Sequence, residues 1–156
     1  MKKCNVSDTE NQFYCNKNDF LYLNLAIKKA KMSFVADEVP VGAVLVFKNN
    51  VVSDFNNKER TNLPTSHAEI NVINKMCMLV KNWRLNGATL YVTMAPCLMC
   101  IGAILEARIS KVVFGCDNNI NNKYLFLLKE RGVEVVGPIN KIICGNLISE
   151  FFKEKR

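Results

Sequence analysis

The sequence predicts an α/β sandwich, and three observations carry that prediction. Strand-like and helix-like segments alternate after residue 60. Before them, a dense apolar run at 41–47 and a second run beginning Val51-Val52 flank the turn Lys48-Asn49-Asn50. That pattern indicates an antiparallel hairpin leading otherwise parallel crossovers. With 156 residues, 49% of them apolar and 22% charged, the chain suits one soluble domain with a single sizeable core.

The elements follow in order. Residues 1–17 are polar and Asn-rich, without periodicity, and read as a flexible tail ahead of one domain at 18–156. Asn18-Asp19 offers an N-cap to a helix running to about Phe34, with Leu21, Leu25, Ala26 and Met32 at helical spacing. Pro40 then introduces the hairpin. A polar loop through Asn62 and Pro64 ends at Thr65-Ser66, and the next helix, 67–80, sets Ile70, Ile73, Cys77 and Val80 on one face. Gly87 breaks the chain before a strand at 88–93, and Pro96 opens a helix at about 97–107. A short strand at 111–115, an Asn-rich loop, a helical patch at 124–129, a strand at 133–136 and an amphipathic helix at about 145–153 complete the series.

Composition narrows the functional classes. No stretch reaches the roughly 18 consecutive apolar residues of a membrane span, and no apolar run follows the N-terminal Met1-Lys2-Lys3. A cytoplasmic protein is therefore expected. The net charge of +7 favours a polyanionic partner, although a merely basic solvated surface reads equally well. Seven cysteines at irregular spacing do not suggest a disulfide framework. Only Cys97 and Cys100 form a close pair, and the other five read as reduced thiols.

Those two cysteines carry the chemistry. Three residues apart at a helix start, they share a face and can bind one ion together. His67, the only histidine, opens another predicted helix two residues before Glu69. One imidazole and two thiolates leave the fourth tetrahedral position of a zinc ion open to water, which is the catalytic rather than the structural pattern. A structural site would need one further ligand, for which Cys116 is the only candidate by position. Each ligand group opens a helix, where unpaired N–H groups and the dipole stabilise thiolates. A carboxylate at Glu69 can take a proton from the metal's water and pass it on to a substrate.

His-x-Glu followed by Pro-Cys-x-x-Cys is the signature of zinc deaminases acting on nucleobases. Beyond it, Val39-Pro40-Val41-Gly42-Ala43-Val44-Leu45-Val46, Pro64-Thr65-Ser66-His67-Ala68-Glu69, Ala88-Thr89-Leu90-Tyr91-Val92-Thr93 and Val112-Val113-Phe114-Gly115 resemble bacterial tRNA-specific adenosine deaminases. The resemblance covers about residues 19–115 and, more loosely, the last helix with Phe151-Phe152. It implies a three-layer α/β/α, cytidine-deaminase-like fold with a five-stranded mixed sheet. It also implies one zinc ion per chain, a homodimer, and conversion of the wobble adenosine of a tRNA anticodon stem-loop to inosine. On the same ground Asn56 would hydrogen-bond the flipped base, the Ala68 N–H would meet the base edge, and Val39 and Pro40 would lie near the base. Ala95 stands where that family usually has Glu, and Cys116-Asp117-Asn118-Asn119-Ile120-Asn121-Asn122 lacks the family's Lys- and Gly-containing loop. A deaminase of free nucleobases or nucleosides, cytosine or guanine type, is the alternative within enzymes. A catalytically silent zinc scaffold that binds RNA is the alternative outside them.

Overall fold

A computed structural model describes residues 15–155. Its strands are β1 (Gly42–Phe47), β2 (Asn50–Phe55), β3 (Thr89–Met94), β4 (Lys111–Cys116) and β5 (Glu134–Val136). They form one sheet in the order β2-β1-β3-β4-β5. β1 runs antiparallel to both β2 and β3, while β3, β4 and β5 are mutually parallel. The helices are α1 (Lys17–Val35), α2 (Lys58–Thr61), α3 (Ala68–Val80), α4 (Leu98–Glu106), α5 (Asn119–Asn122), α6 (Leu125–Glu130) and α7 (Lys141–Glu154). The mixed five-stranded sheet with helices on both faces is the expected fold.

The two-residue side-chain period of the strands builds both outer layers. Leu90 and Val92 of β3, with Val112 and Phe114 of β4, join a core with Val72 and Met76 of α3, Ile101 and Ile104 of α4, and Leu128 of α6. Tyr91 and Val113, which alternate with them, point to the other face and meet Leu23 and Ala26 of α1. α7 closes that second face, with Cys144 packed beside Ile27 and Cys116. Phe151 of α7 sits edge-on to Phe34 of α1 at a centroid distance of 5.8 Å.

α1 lies unusually close to the sheet because Gly42 permits it. A Cβ at that position would stand 2.5 Å from the Ala30 nitrogen and closer still to the Ala26 carbonyl. Both are backbone atoms, so a side chain there would have to push the helix away. The same buried stripe of α1 carries two polar residues, Asp19 and Ser33. Asp19 accepts from the Tyr91 hydroxyl at 3.3 Å and pairs with Lys111 at 3.2 Å, which ties the helix to β3 and β4.

Several local expectations shift. The first helix starts earlier than predicted: its N-cap is Asn16, and Asp19 is the N3 member of a capping box with it. Of the tail expected at 1–17, residues 1–14 lie outside the described residues, while Asn16 and Lys17 belong to the helix start. α7 begins at Lys141, a turn before the predicted Gly145. α2 and α5 are too short to show periodicity and had no sequence signal. Cys77, Cys116 and Cys144 are free thiols as expected, but Cys15 is disulfide-bonded, against expectation. No helix among the described residues is long and apolar enough to cross a membrane.

Candidate active site

Strand direction gathers the predicted site residues at one end of the sheet. Gly42 begins β1 opposite Phe55, the last residue of β2, and Met94 ends β3 beside Cys116, the last residue of β4. The segments just outside those termini therefore meet: 38–41 before β1, Asn56 after β2, and Ala95-Pro96-Cys97 after β3. The Gly42 N–H donates to the Thr93 hydroxyl at 3.1 Å and pins the first of these segments to the third.

Two helices begin at the same place. His67 is the N-cap of α3, and Cys97 is the N-cap of α4, both in extended backbone conformation. Cys100 follows one turn into α4 and is buried. His67 Nδ1 lies 3.6 Å from Cys97 Sγ and 3.6 Å from Cys100 Sγ. The three donor atoms all fall within 4.8 Å of one another. Zinc bonds of about 2.3 Å to sulfur and about 2.0–2.1 Å to nitrogen, opened to the tetrahedral angle, set the S···N edge at about 3.6 Å. A single imidazole N–H cannot aim at two sulfurs at once, so the equal distances match a shared ion better than a hydrogen bond. Cys116 does not join the group: it is buried against Ile27 and Cys144, and no fourth His, Cys, Asp or Glu joins the three among the described residues.

The electrostatics favour a cation here. The Cys97 thiol is drawn down to about 4, chiefly by the hydrogen bond from Cys100 and then by His67. The Cys100 thiol is pushed far above its ordinary value, because it donates to Cys97 and is itself buried. The close approach of the Cys97 sulfur raises the His67 imidazole as well. The opposite shifts of the two thiols show that a second buried negative charge beside the first is disfavoured. A divalent cation removes that penalty and displaces the remaining protons.

Glu69 sits in the first turn of α3 and is only 4% exposed. Burial raises its carboxyl to about 7, against the opposing pull of His67. A carboxyl poised near neutrality both accepts and donates protons at working pH. Asn56 is buried at the end of β2, Pro40 is buried and Val39 half-buried ahead of β1. Ala68 is fully buried, and its N–H, one of the groups a helix start leaves unpaired, makes no hydrogen bond among the described residues. Ala95 packs into the core with its N–H on the Cys116 carbonyl at 2.7 Å. The Asn-rich segment after β4 is an ordered turn: Asn118 caps α5, and Asn121 Nδ2 donates to the Ala95 carbonyl at 2.9 Å.

Two buried polar residues had escaped the sequence reading. Ser33 Oγ lies 2.9 Å from both the Val39 and the Asn56 carbonyls. Glu38, 1% exposed, accepts from Asn56 Nδ2 and from the backbone of Glu59 and Arg60. Ser33 carried a weak signal, as a polar residue on the apolar stripe of α1. Glu38 carried none, because Asp37-Glu38 reads as a solvated acidic pair.

Residues 16–116 match the family model described as the cytidine and deoxycytidylate deaminase zinc-binding region. The chain belongs to that deaminase family. It is accordingly a zinc enzyme, and His67, Cys97 and Cys100 offer the site for the ion. This deaminase is 42% identical over 147 residues to a tRNA-specific adenosine deaminase of Buchnera aphidicola subsp. Baizongia pistaciae, covering 89% of this chain and 91% of that one. A Bacillus subtilis protein of the same name is 41% identical over 149 residues, covering 88% and 91%. A solved structure from a study of A-to-I editing by tRNA:A34 deaminases superposes with a TM-score of 0.75 at 31% identity, covering 82% of the deaminase and 99% of that chain.

Zinc affinity should fall as pH falls, because the raised Cys100 and His67 groups hold protons that the metal must displace. Competition against a chelator at pH 6 and pH 8 should show tighter binding at pH 8. Equal affinity, after correction for the chelator's own protonation, would contradict the donor assignment.

Proposed function

We propose that this deaminase hydrolyses the wobble adenosine of a tRNA anticodon to inosine, with release of ammonia. The observation that carries the reading is its joint likeness to two curated enzymes of that name and to a solved tRNA:A34 deaminase, each matched over most of its length. A net charge of +7 suits a polyanionic substrate. A base stacked in a duplex could not reach a buried carboxylate, so the adenosine must come from a loop and be turned out of its stack.

In this reading residues 18–156 act as one domain, and His67, Cys97 and Cys100 are the metal ligands. Zinc, when bound, supplies the Lewis acidity that makes water nucleophilic at neutral pH. Glu69 takes the proton as water adds to the amino-bearing ring carbon. It passes that proton to the ring nitrogen, then carries the second proton, from the added hydroxyl, to the departing amino group as the C–N bond breaks, so adenosine and water become inosine and ammonia. Asn56 and the Ala68 N–H hold the polar edges of the base, and Val39 and Pro40 cover its apolar surface. The cytoplasm, where tRNA is modified, is the matching location.

An anticodon stem-loop bearing a wobble adenosine, assayed beside free adenosine, guanine and cytosine, tests the substrate. Ammonia release from the stem-loop is expected. Release only from the free compounds would favour the small-molecule alternative. Glu69→Ala should keep zinc yet lose roughly a thousandfold or more in kcat, at the scale of a lost general acid–base group. Zinc retention with full activity would refute the shuttle.

The enzyme is further proposed to be a homodimer, supported by the exposed apolar side chains Leu98 and Met99 on α4 and Met78 and Leu79 on α3. Light scattering should give twice the 17.7 kDa of one chain. A single-chain mass at micromolar concentration would contradict it.

A further inference from the structure

Glu38 is a buried charge without a cationic partner among the described residues. Its carboxylate is instead held by three N–H donors: Asn56 Nδ2 at 3.2 Å, the Glu59 nitrogen at 3.2 Å and the Arg60 nitrogen at 2.7 Å. Two of these belong to the first turn of α2, whose own N-cap, Asn57, makes no side-chain capping bond. Glu38 thus caps that short helix from a distance. The third donor is a side chain, and it is the one read above as touching the base.

An ionised carboxylate only accepts hydrogen bonds. Whatever faces Glu38 must therefore be the NH2 end of the Asn56 amide, which fixes the amide's flip. The backbone of Asn56 is fixed as well: its N–H donates to the Val41 carbonyl at 2.9 Å, and its carbonyl lies 2.9 Å from the Ser33 hydroxyl. Among the described residues, Asn56 Oδ1 makes no hydrogen bond, and no buried polar side-chain atom is left without a partner. Oδ1 is consequently not fully buried and is left as an accessible acceptor.

We infer that Glu38 is a positioning residue, which holds the Asn56 amide in one of its two flips so that its oxygen, a fixed acceptor, faces the substrate. The inference rests on the reading of Asn56 as a base contact. Glu38 acts through Asn56 and does not touch the substrate. A glutamine at 38 has one acceptor oxygen for three donors and brings an NH2 group of its own, so at least one of the bonds is lost and the amide is no longer locked.

A double-mutant cycle of Glu38→Gln and Asn56→Ala separates positioning from capping. All four proteins are checked for zinc content and unfolding midpoint, then assayed on the anticodon stem-loop, or on whichever free base the wild type deaminates. Glu38→Gln should lower kcat/KM by about tenfold to a hundredfold in the wild-type background, the scale of a buried hydrogen bond left unmade at a base. In the Asn56→Ala background it should change kcat/KM by less than about twofold, the signature of two residues acting as a unit. An equal loss in both backgrounds would overturn the inference and leave Glu38 as the remote cap of α2 alone. Wild-type kcat/KM in Asn56→Ala would instead overturn the reading of Asn56 itself. Should Glu38→Gln fail to fold, the wild-type zinc protein decides by nitrogen-15 NMR. Slow exchange of an Asn56 side-chain NH2 proton with solvent is expected from its bond to buried Glu38, and exchange of both protons as fast as in an exposed asparagine would overturn the inference.

Discussion

The N-termini of α3 and α4 meet at one end of the sheet, and the site depends on that meeting. Each helix opens on a residue able to ligate metal instead of an ordinary polar cap: His67 for one, Cys97 for the other. The free N–H groups and the positive ends of both dipoles then surround a point where two sulfurs and a carboxylate collect negative charge. Parallel β3 and β4 make this possible, because Cys97 follows directly on the end of β3 through Ala95-Pro96. On the other side, the antiparallel β1 brings its start, and the end of β2, to the same edge. The change from antiparallel to parallel pairing between β1 and β4 is therefore what lets residues from three loops share one site.

Burial tunes the residues that this convergence brings together. Glu69 is hydrated too poorly to be a fully ionised carboxylate, and Cys97 is hydrogen-bonded too well to be an ordinary thiol. In the metal-free protein the raised Glu69 group has a definite sign for stability. Its neutral form suits the fold, so the stability it contributes is complete below its ordinary value near 4.5 and is lost as pH rises through about 7. A cation bound beside it would offset part of that penalty by giving the carboxylate a neighbour of opposite charge.

What the sequence made legible was local. The spacings His67 to Glu69 and Cys97 to Cys100 each lie within one helical turn, so a pattern of three or four residues carries them. The alternation of β3 and β4 was equally plain, and the two strands fall within a residue of their expected bounds. Asn16 was missed because Asn18-Asp19 offers an equally good cap two residues on, and only the folded capping box distinguishes them. Ser33 and Glu38 were missed for a different reason. Their partners lie up to 23 positions away across the hairpin, and no periodicity records a hydrogen bond that tertiary packing creates. The Asn-rich segment after β4 looked like a bare loop, yet it is a capped turn that grips the Ala95 carbonyl just ahead of the cysteine pair.

The central claim is a mononuclear zinc held by one imidazole and two thiolates, with a fourth position that no protein group fills. X-ray absorption at the zinc edge of the purified enzyme measures that directly. Two sulfur neighbours at about 2.3 Å and two nitrogen or oxygen neighbours at about 2.0–2.1 Å are expected. A shell of three or four sulfurs would contradict the account, because the ion would then be closed by protein and could not serve hydrolysis.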